Sequence, residues 1–271
     1  MKISPKEAQE GRLAEEHLRL ALQLLGEGGY VILEEVLPKA WIATMREAFD
    51  AELVHADPTQ GRGNAQAKGH GGCSAPLTMP FLDPLAVENP LGLQIIEAVM
   101  GRDVWAILPY HTNTAWPGSE IQHIHRDTQH LFPELPLALP PTLLILHIPL
   151  VDCTEENGST ELWPGTHLIP DPDPEATTPD RLAARATQMP SVRANMSAGS
   201  IVVRDMRMWH RGMPNRTQTN RTMLSIVYFR QLHRFPDHLV HLPAITSTAK
   251  QLLSERAQHL YRYNPVEAHE A

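Results

Sequence analysis

Two short stretches carry the residues best suited to chemistry. The first is Gln122-His123-Ile124-His125-Arg126-Asp127. On a strand, residues i and i+2 point to the same side, so His125 and Asp127 can converge on one ion. The second is Trp209-His210-Arg211-Gly212-Met213-Pro214-Asn215, which follows an apolar run and precedes a turn. Two imidazoles and one carboxylate on one face of an octahedron leave three positions open, which suits Fe(II) sites that admit a cosubstrate and dioxygen. His125, Asp127 and His210 are therefore candidate iron ligands and catalytic residues. A lone His-x-Asp is weak support, since a chain of this composition holds roughly half of one by chance. A second one, His55-Ala56-Asp57, lies at the end of a predicted helix, where i and i+2 residues do not face each other, and it has no partner block downstream.

Arg221 opens the next predicted strand, eleven residues after His210. The planar fork of an arginine can grip a carboxylate through two parallel hydrogen bonds. The far carboxylate of 2-oxoglutarate needs such a grip while its keto-acid end meets the metal. The commoner role of an arginine is a surface ion pair.

These residues need elements to hold them. Leu18, Ala21, Leu22 and Leu25 recur at helical spacing, and Gly26 and Gly28-Gly29 end that helix. Tyr30-Val31-Ile32-Leu33 reads as a strand, and Pro38 opens a second helix to about Leu53. Residues 57–85 are rich in Gly, Pro and Ser without periodicity, as expected of a loop that closes over a site. Leu91 to Met100 reads as a helix closed by Gly101. After it come strand-length apolar runs at Val104–Leu108, Leu143–Val151, Gly199–Val203 and Thr222–Phe229. A Pro-rich loop at 168–195 interrupts them, and a terminal helix is predicted from Thr246 to Arg262. The organisation expected is a single domain over 1–271: a helical portion (1–100), a β core (101–235) and a helical tail (236–271). Many short strands with Gly and Pro turns predict a sandwich or barrel.

Composition narrows the partners. A net charge of -8 with no long basic run argues against a nucleic-acid surface. No apolar run approaches the roughly 20 residues that cross a bilayer. Cys73 and Cys153 stand in no metal-like spacing and read as reduced thiols. With a polar amino end, a cytoplasmic protein with a small-molecule substrate is expected, and a homo-oligomer is compatible with that.

The motifs together resemble the phytanoyl-CoA dioxygenase family over roughly residues 20–230. They are His125-x-Asp127, Asp152 to Gly158, Pro164-Gly165-Thr166-His167, Gly199-Ser200, His210 with Asn215, Arg221, and the amino-terminal Gly29-Tyr30-Val31-Ile32. The resemblance implies a double-stranded β-helix, or jelly roll, with flanking α-helices. It implies Fe(II), 2-oxoglutarate and dioxygen, with His125, Asp127 and His210 as iron ligands. It also implies Arg221 on the distal carboxylate of 2-oxoglutarate, Gln122 beside that cosubstrate, and Thr160 and Asn113 near it. The block Glu156 to His167 is similar to a bacterial group of small-molecule hydroxylases that includes kanamycin B dioxygenase. Asp127 stands where halogenating relatives carry a small residue, which favours hydroxylation or a related oxidation. His167 falls in a structural turn by the same comparison, and His123 shares the face of His125 and could line the pocket. Two rival functions use the same frame. A cupin-like metal isomerase or hydrolase would need no 2-oxoglutarate, and Arg221 and Gln122 weigh against it. A non-catalytic jelly-roll binding protein would need no complete triad.

Overall fold

The computed structural model describes residues 1–58, 67–233 and 242–267. In chain order the helical elements are α1 (Pro5–Glu10), α2 (Glu15–Gly28), α3 (Lys39–Leu53), α4 (Pro84–Val87) and α5 (Pro90–Met100), then α6 (Pro179–Ala186), α7 (Ser247–Leu252) and α8 (Glu255–Leu260). The strands are β1 (Tyr30–Leu33), β2 (His70–Gly71), β3 (Trp105–Ala106), β4 (His111–Ala115) and β5 (Leu143–Pro149), then β6 (Glu161–Leu162), β7 (Val192–Arg193), β8 (Ile201–Asp205), β9 (His210–Arg211) and β10 (Arg221–Phe229). They form a seven-stranded sheet in the order β1-β8-β5-β10-β4-β2, with β3 on β10, and a three-stranded sheet β7-β6-β9. Every pairing within these sheets is antiparallel. This is the jelly roll expected from the sequence.

The apolar runs are strands covered on both faces, which is why they lack polar alternation. All of β5 is buried. Leu144, Leu146 and Ile148 join Ile201, Val203, Leu224 and Ile226 in a core shared with α2, α3 and α5. The alternate residues Ile145 and His147 face a cavity on the other side of the sheet. Helix α5 starts where the Asn89 side chain accepts from Gly92 N at 3.0 Å. It lies so close to β5 that a Cβ on Gly92 would come within 2.1 Å of a Leu146 methyl.

Three expectations need correction. Residues 168–195 are not a bare loop: Pro179 at the first turn starts α6, and β7 joins the small sheet. The terminal helix is two helices, broken at Leu253 and restarted by Ser254, whose hydroxyl accepts from Ala257 N at 3.1 Å. The Gly-rich stretch is not structureless where described, since β2 pairs with β4 and Ser74 bridges to His111. Its residues 59–66 lie outside the described residues.

Candidate active site

His125 and Asp127 do not sit on a regular strand. Their segment is irregular and is pinned to β9 by one bridge, His125 N to His210 O and His210 N to His125 O, both 3.0 Å. Gln122 N bonds Gly212 O at 3.0 Å, and Asp127 N bonds Met206 O at 3.0 Å. These bonds do the work that strand parity was expected to do. The donor atoms of His125, Asp127 and His210 lie within 4.8 Å of one another, the one such cluster of His, Cys, Asp or Glu among the described residues. His125 Nε2 is 3.9 Å from Asp127 Oδ1, and His210 Nε2 is 3.5 Å from Oδ2.

The imidazoles are set up to give a lone pair. His125 Nδ1 donates to His123 O at 2.9 Å, and His210 Nδ1 to Met208 O at 3.0 Å. A carbonyl only accepts, so each Nδ1 carries the proton and each Nε2 is left basic; Arg204 Nη1, 3.3 Å from His210 Nδ1, is then a contact between two donors and not a hydrogen bond. Burial, above all, holds both rings below the ordinary imidazole range, so they are neutral at pH 7. Burial pushes the Asp127 carboxyl up, but with the imidazoles neutral the charge and hydrogen bond of Arg204 outweigh it and leave the group ionised. Arg204 Nη2 donates to Asp127 Oδ2 at 2.5 Å. Neutral nitrogens beside one carboxylate are a donor set that fits a divalent iron.

Behind the ligands lies a buried ion network. Arg126, between His125 and Asp127, donates to Asp171 Oδ2 at 2.6 Å, and Arg185 of α6 pairs with Asp171 Oδ1 at 2.8 Å. The Arg185 guanidinium lies 4.7 Å from the centre of the Trp209 ring. The 168–195 segment is thus fastened to the back of the site.

In front is a cavity of about 390 Å³ between the two sheets. Its wall includes the triad together with Arg221, Gln122, Thr160 and Asn113, so all the sequence-derived site residues meet at one cavity. Arg221 is 1% exposed. Its Nη1 reaches only the carbonyl and side-chain oxygens of Asn113, each at 3.4 Å, and its Nε has no hydrogen-bond partner among the described residues. A buried guanidinium without a carboxylate is costly, and a ligand carboxylate would satisfy it. Gln122 Oε1 accepts from Gly212 N at 2.7 Å, so part of its role is to fix the turn after His210. Arg216 is exposed.

Some residues on that wall were not foreseen. His147 bonds Ser225 Oγ at 2.9 Å, and Arg204, His70 and His111 also line the cavity. Arg204 was legible in principle as a charge directly after the apolar run Ile201–Val203. His123 is not on the wall, and His167 is structural: its Nε2 bonds Gly26 O at 3.1 Å.

A profile of the phytanoyl-CoA dioxygenase family matches residues 25–223. The chain belongs to the phytanoyl-CoA dioxygenase family. It is similar to the multifunctional dioxygenase ausE of Penicillium brasilianum, 24% identical over 255 residues, covering 90% of this chain and 82% of that one. It is 31% identical to the dioxygenase trt7 of Aspergillus terreus over 157 residues, 56% of this chain and 50% of that one. Among solved structures it resembles the epimerase SnoN in complex with Fe3+, alpha ketoglutarate and nogalamycin RO. That match has a TM-score of 0.64 and 22% identity, and covers 80% of this chain and 84% of that one. It also resembles the alpha ketoglutarate dependent carbocyclase SnoK, with a TM-score of 0.62, 19% identity, and 82% and 85% of the two chains covered. As a member of the phytanoyl-CoA dioxygenase family, this chain is a non-haem iron, 2-oxoglutarate-dependent dioxygenase. Among its described residues, no helix is long and apolar enough to cross a membrane.

Proposed function

We propose that this dioxygenase holds Fe(II) with His125, Asp127 and His210, binds 2-oxoglutarate through Arg221, and hydroxylates or otherwise oxidises a small organic molecule. The observation that carries this reading is the buried Arg221 guanidinium, which has no carboxylate partner among the described residues yet shares one cavity with the triad. When bound, Fe(II) and 2-oxoglutarate supply the oxidising power: dioxygen is consumed, succinate and carbon dioxide leave, and one oxygen atom is available to the substrate.

The chain's own residues do the rest. Arg221 takes the distal carboxylate in its fork beside Asn113, and Thr160 and Gln122 line the same cavity. His125 and His210 stay neutral and present Nε2. Ile145, Leu162, Val202, Met206 and Met223 make an apolar wall that keeps water from the reacting centre. A small organic substrate is supported by the nogalamycin RO held by the SnoN neighbour. Phytanoyl-CoA itself is not favoured: a CoA thioester wants a basic entrance, and the segments 57–85 and 168–195 carry no basic cluster.

The test is a screen of small organic molecules with Fe(II), 2-oxoglutarate and dioxygen, scored by succinate. Succinate above the uncoupled background identifies the substrate. Tight Fe(II) binding with neither succinate nor dioxygen consumption under any condition would instead favour a binding protein.

A further inference from the structure

We propose that Arg204 is the positioning residue that keeps Asp127 a one-oxygen metal ligand, an inference that rests on the ligand assignment above. Arg204 lies on β8 and is 3% exposed. Residues 202, 204 and 206 alternate onto the cavity side of the sheet, so its guanidinium enters the site from the wall. Nη2 donates to Asp127 Oδ2 at 2.5 Å, a short charge-assisted bond. Oδ1 makes no hydrogen bond among the described residues and faces His125 Nε2 at 3.9 Å.

The same stretch of chain holds Asp127 at both ends. Two residues after Arg204, the Met206 carbonyl accepts from Asp127 N at 3.0 Å. Between them, Asp205 is locked by Arg207, whose Nε and Nη2 donate to its two oxygens at 2.9 and 2.7 Å. The backbone grip and the side-chain grip on Asp127 therefore move together.

The chemistry needs this restraint. A carboxylate left to itself can close on a metal with both oxygens and occupy two positions. The proposed reaction needs two positions for the keto-acid of 2-oxoglutarate and one for dioxygen, which is all that two imidazoles and a one-oxygen carboxylate leave open. With Oδ2 held by Arg204, the carboxylate is not free to turn and bring both oxygens to the metal, and Oδ1 is the oxygen left without a hydrogen bond among the described residues. Arg204 also brings a positive charge beside a divalent metal, which by itself opposes metal binding. The geometric role and the charge thus act on different quantities: the grip preserves open positions, and the charge lowers affinity.

The experiment loads the protein with Mn(II) and measures water-proton relaxation per bound ion, which counts exchangeable water on the metal. Wild type sets the reference. In Arg204→Met the freed carboxylate should close on the ion and displace one of three waters, so relaxation per bound Mn(II) should fall by about one third. Mn(II) affinity should hold or rise. Arg204→Lys restores a charged donor to Oδ2 and should return relaxation toward wild type. Arg204→Ala is measured alongside, so that one variant failing to fold leaves the other to decide. Unchanged relaxation in folded Arg204→Met or Arg204→Ala overturns the proposal, as does a fall in Arg204→Lys equal to that in Arg204→Met. If wild type binds no Mn(II) at the triad, the ligand assignment fails instead, and that result is distinct.

Discussion

Two arginines enter the same cavity from strands that flank β5, and they are satisfied in different ways. Arg204 on β8 meets the Asp127 carboxylate at 2.5 Å. Arg221 on β10 is as deeply buried and, among the described residues, meets only neutral oxygens of Asn113, with its Nε unbonded. A buried cation with its anion in place is part of the protein's own scaffold. A buried cation lacking one is a loss that folding tolerates only where a ligand returns it. The contrast divides the cavity into an end that is complete in the chain and an end that a small dicarboxylate completes.

The largest effect should come from making the two ends alike. Asp127→Asn would leave Arg204 facing no anion and would remove a ligand. Metal binding measured by calorimetry should be lost, and metal-free stability should drop by about 1–3 kcal/mol, as for a half-buried pair that loses one partner. Wild-type metal affinity in that variant would move the carboxylate ligand elsewhere.

Next in size is the open end. Arg221→Lys keeps the charge and loses the fork, so affinity for 2-oxoglutarate should fall about ten- to a hundredfold, matching about 1.5–3 kcal/mol for charged hydrogen bonds. Fe(II) affinity should not change. A sharper comparison uses methionine at each position. Chemical denaturation of the metal-free protein should show Arg204→Met less stable than wild type and Arg221→Met more stable, each by about 1–3 kcal/mol. Shifts of the same sign would mean that the two arginines are not satisfied differently after all.

A smaller effect concerns the neutral imidazoles on the cavity wall. Burial, first of all, pushes His70 down to about 4 and His147 down to about 3. Unfolding returns them to the ordinary value near 6.5. Between those limits the unfolded chain binds more protons than the folded one, so stability rises with pH. Metal-free stability should therefore decline as pH falls from about 6.5 toward 4. His147→Gln should flatten that slope if the side-chain amide keeps the bond to Ser225. A slope unchanged in this variant would place the proton uptake on other groups.

The sequence showed the metal ligands and Arg221 better than the polar residues that support them. His210 and Arg221 announce themselves because they lie close together around a turn, and His125 and Asp127 because their spacing is tight. Arg204 does not, because its meaning depends on a partner 77 residues away across the site. His147 and Ser225 are hidden in the same way, as single polar residues inside apolar strands whose pairing register sets them side by side. The long elements followed from local pattern, helical spacing and start or stop residues for α2, α3 and α5 and unbroken apolar runs for β1, β5, β8 and β10, and all fall close to their expected places. The irregular segment that carries His125 did not, since it is shaped by bonds to β9 and Met206 rather than by its own pattern. α6 was masked by the prolines around it, although Pro179 is itself a helix-start signal.

The central claim is that one cavity holds both the metal and the cosubstrate, and an anaerobic titration tests it most directly. Fe(II) is added to one equivalent, then 2-oxoglutarate, and the visible charge-transfer absorption of the iron–keto-acid complex is followed. Wild type should develop the band with one site per chain. His125→Ala and His210→Ala should each show none, and Arg221→Lys should reach the same band only at higher 2-oxoglutarate. A band of wild-type affinity in either histidine variant would contradict the account.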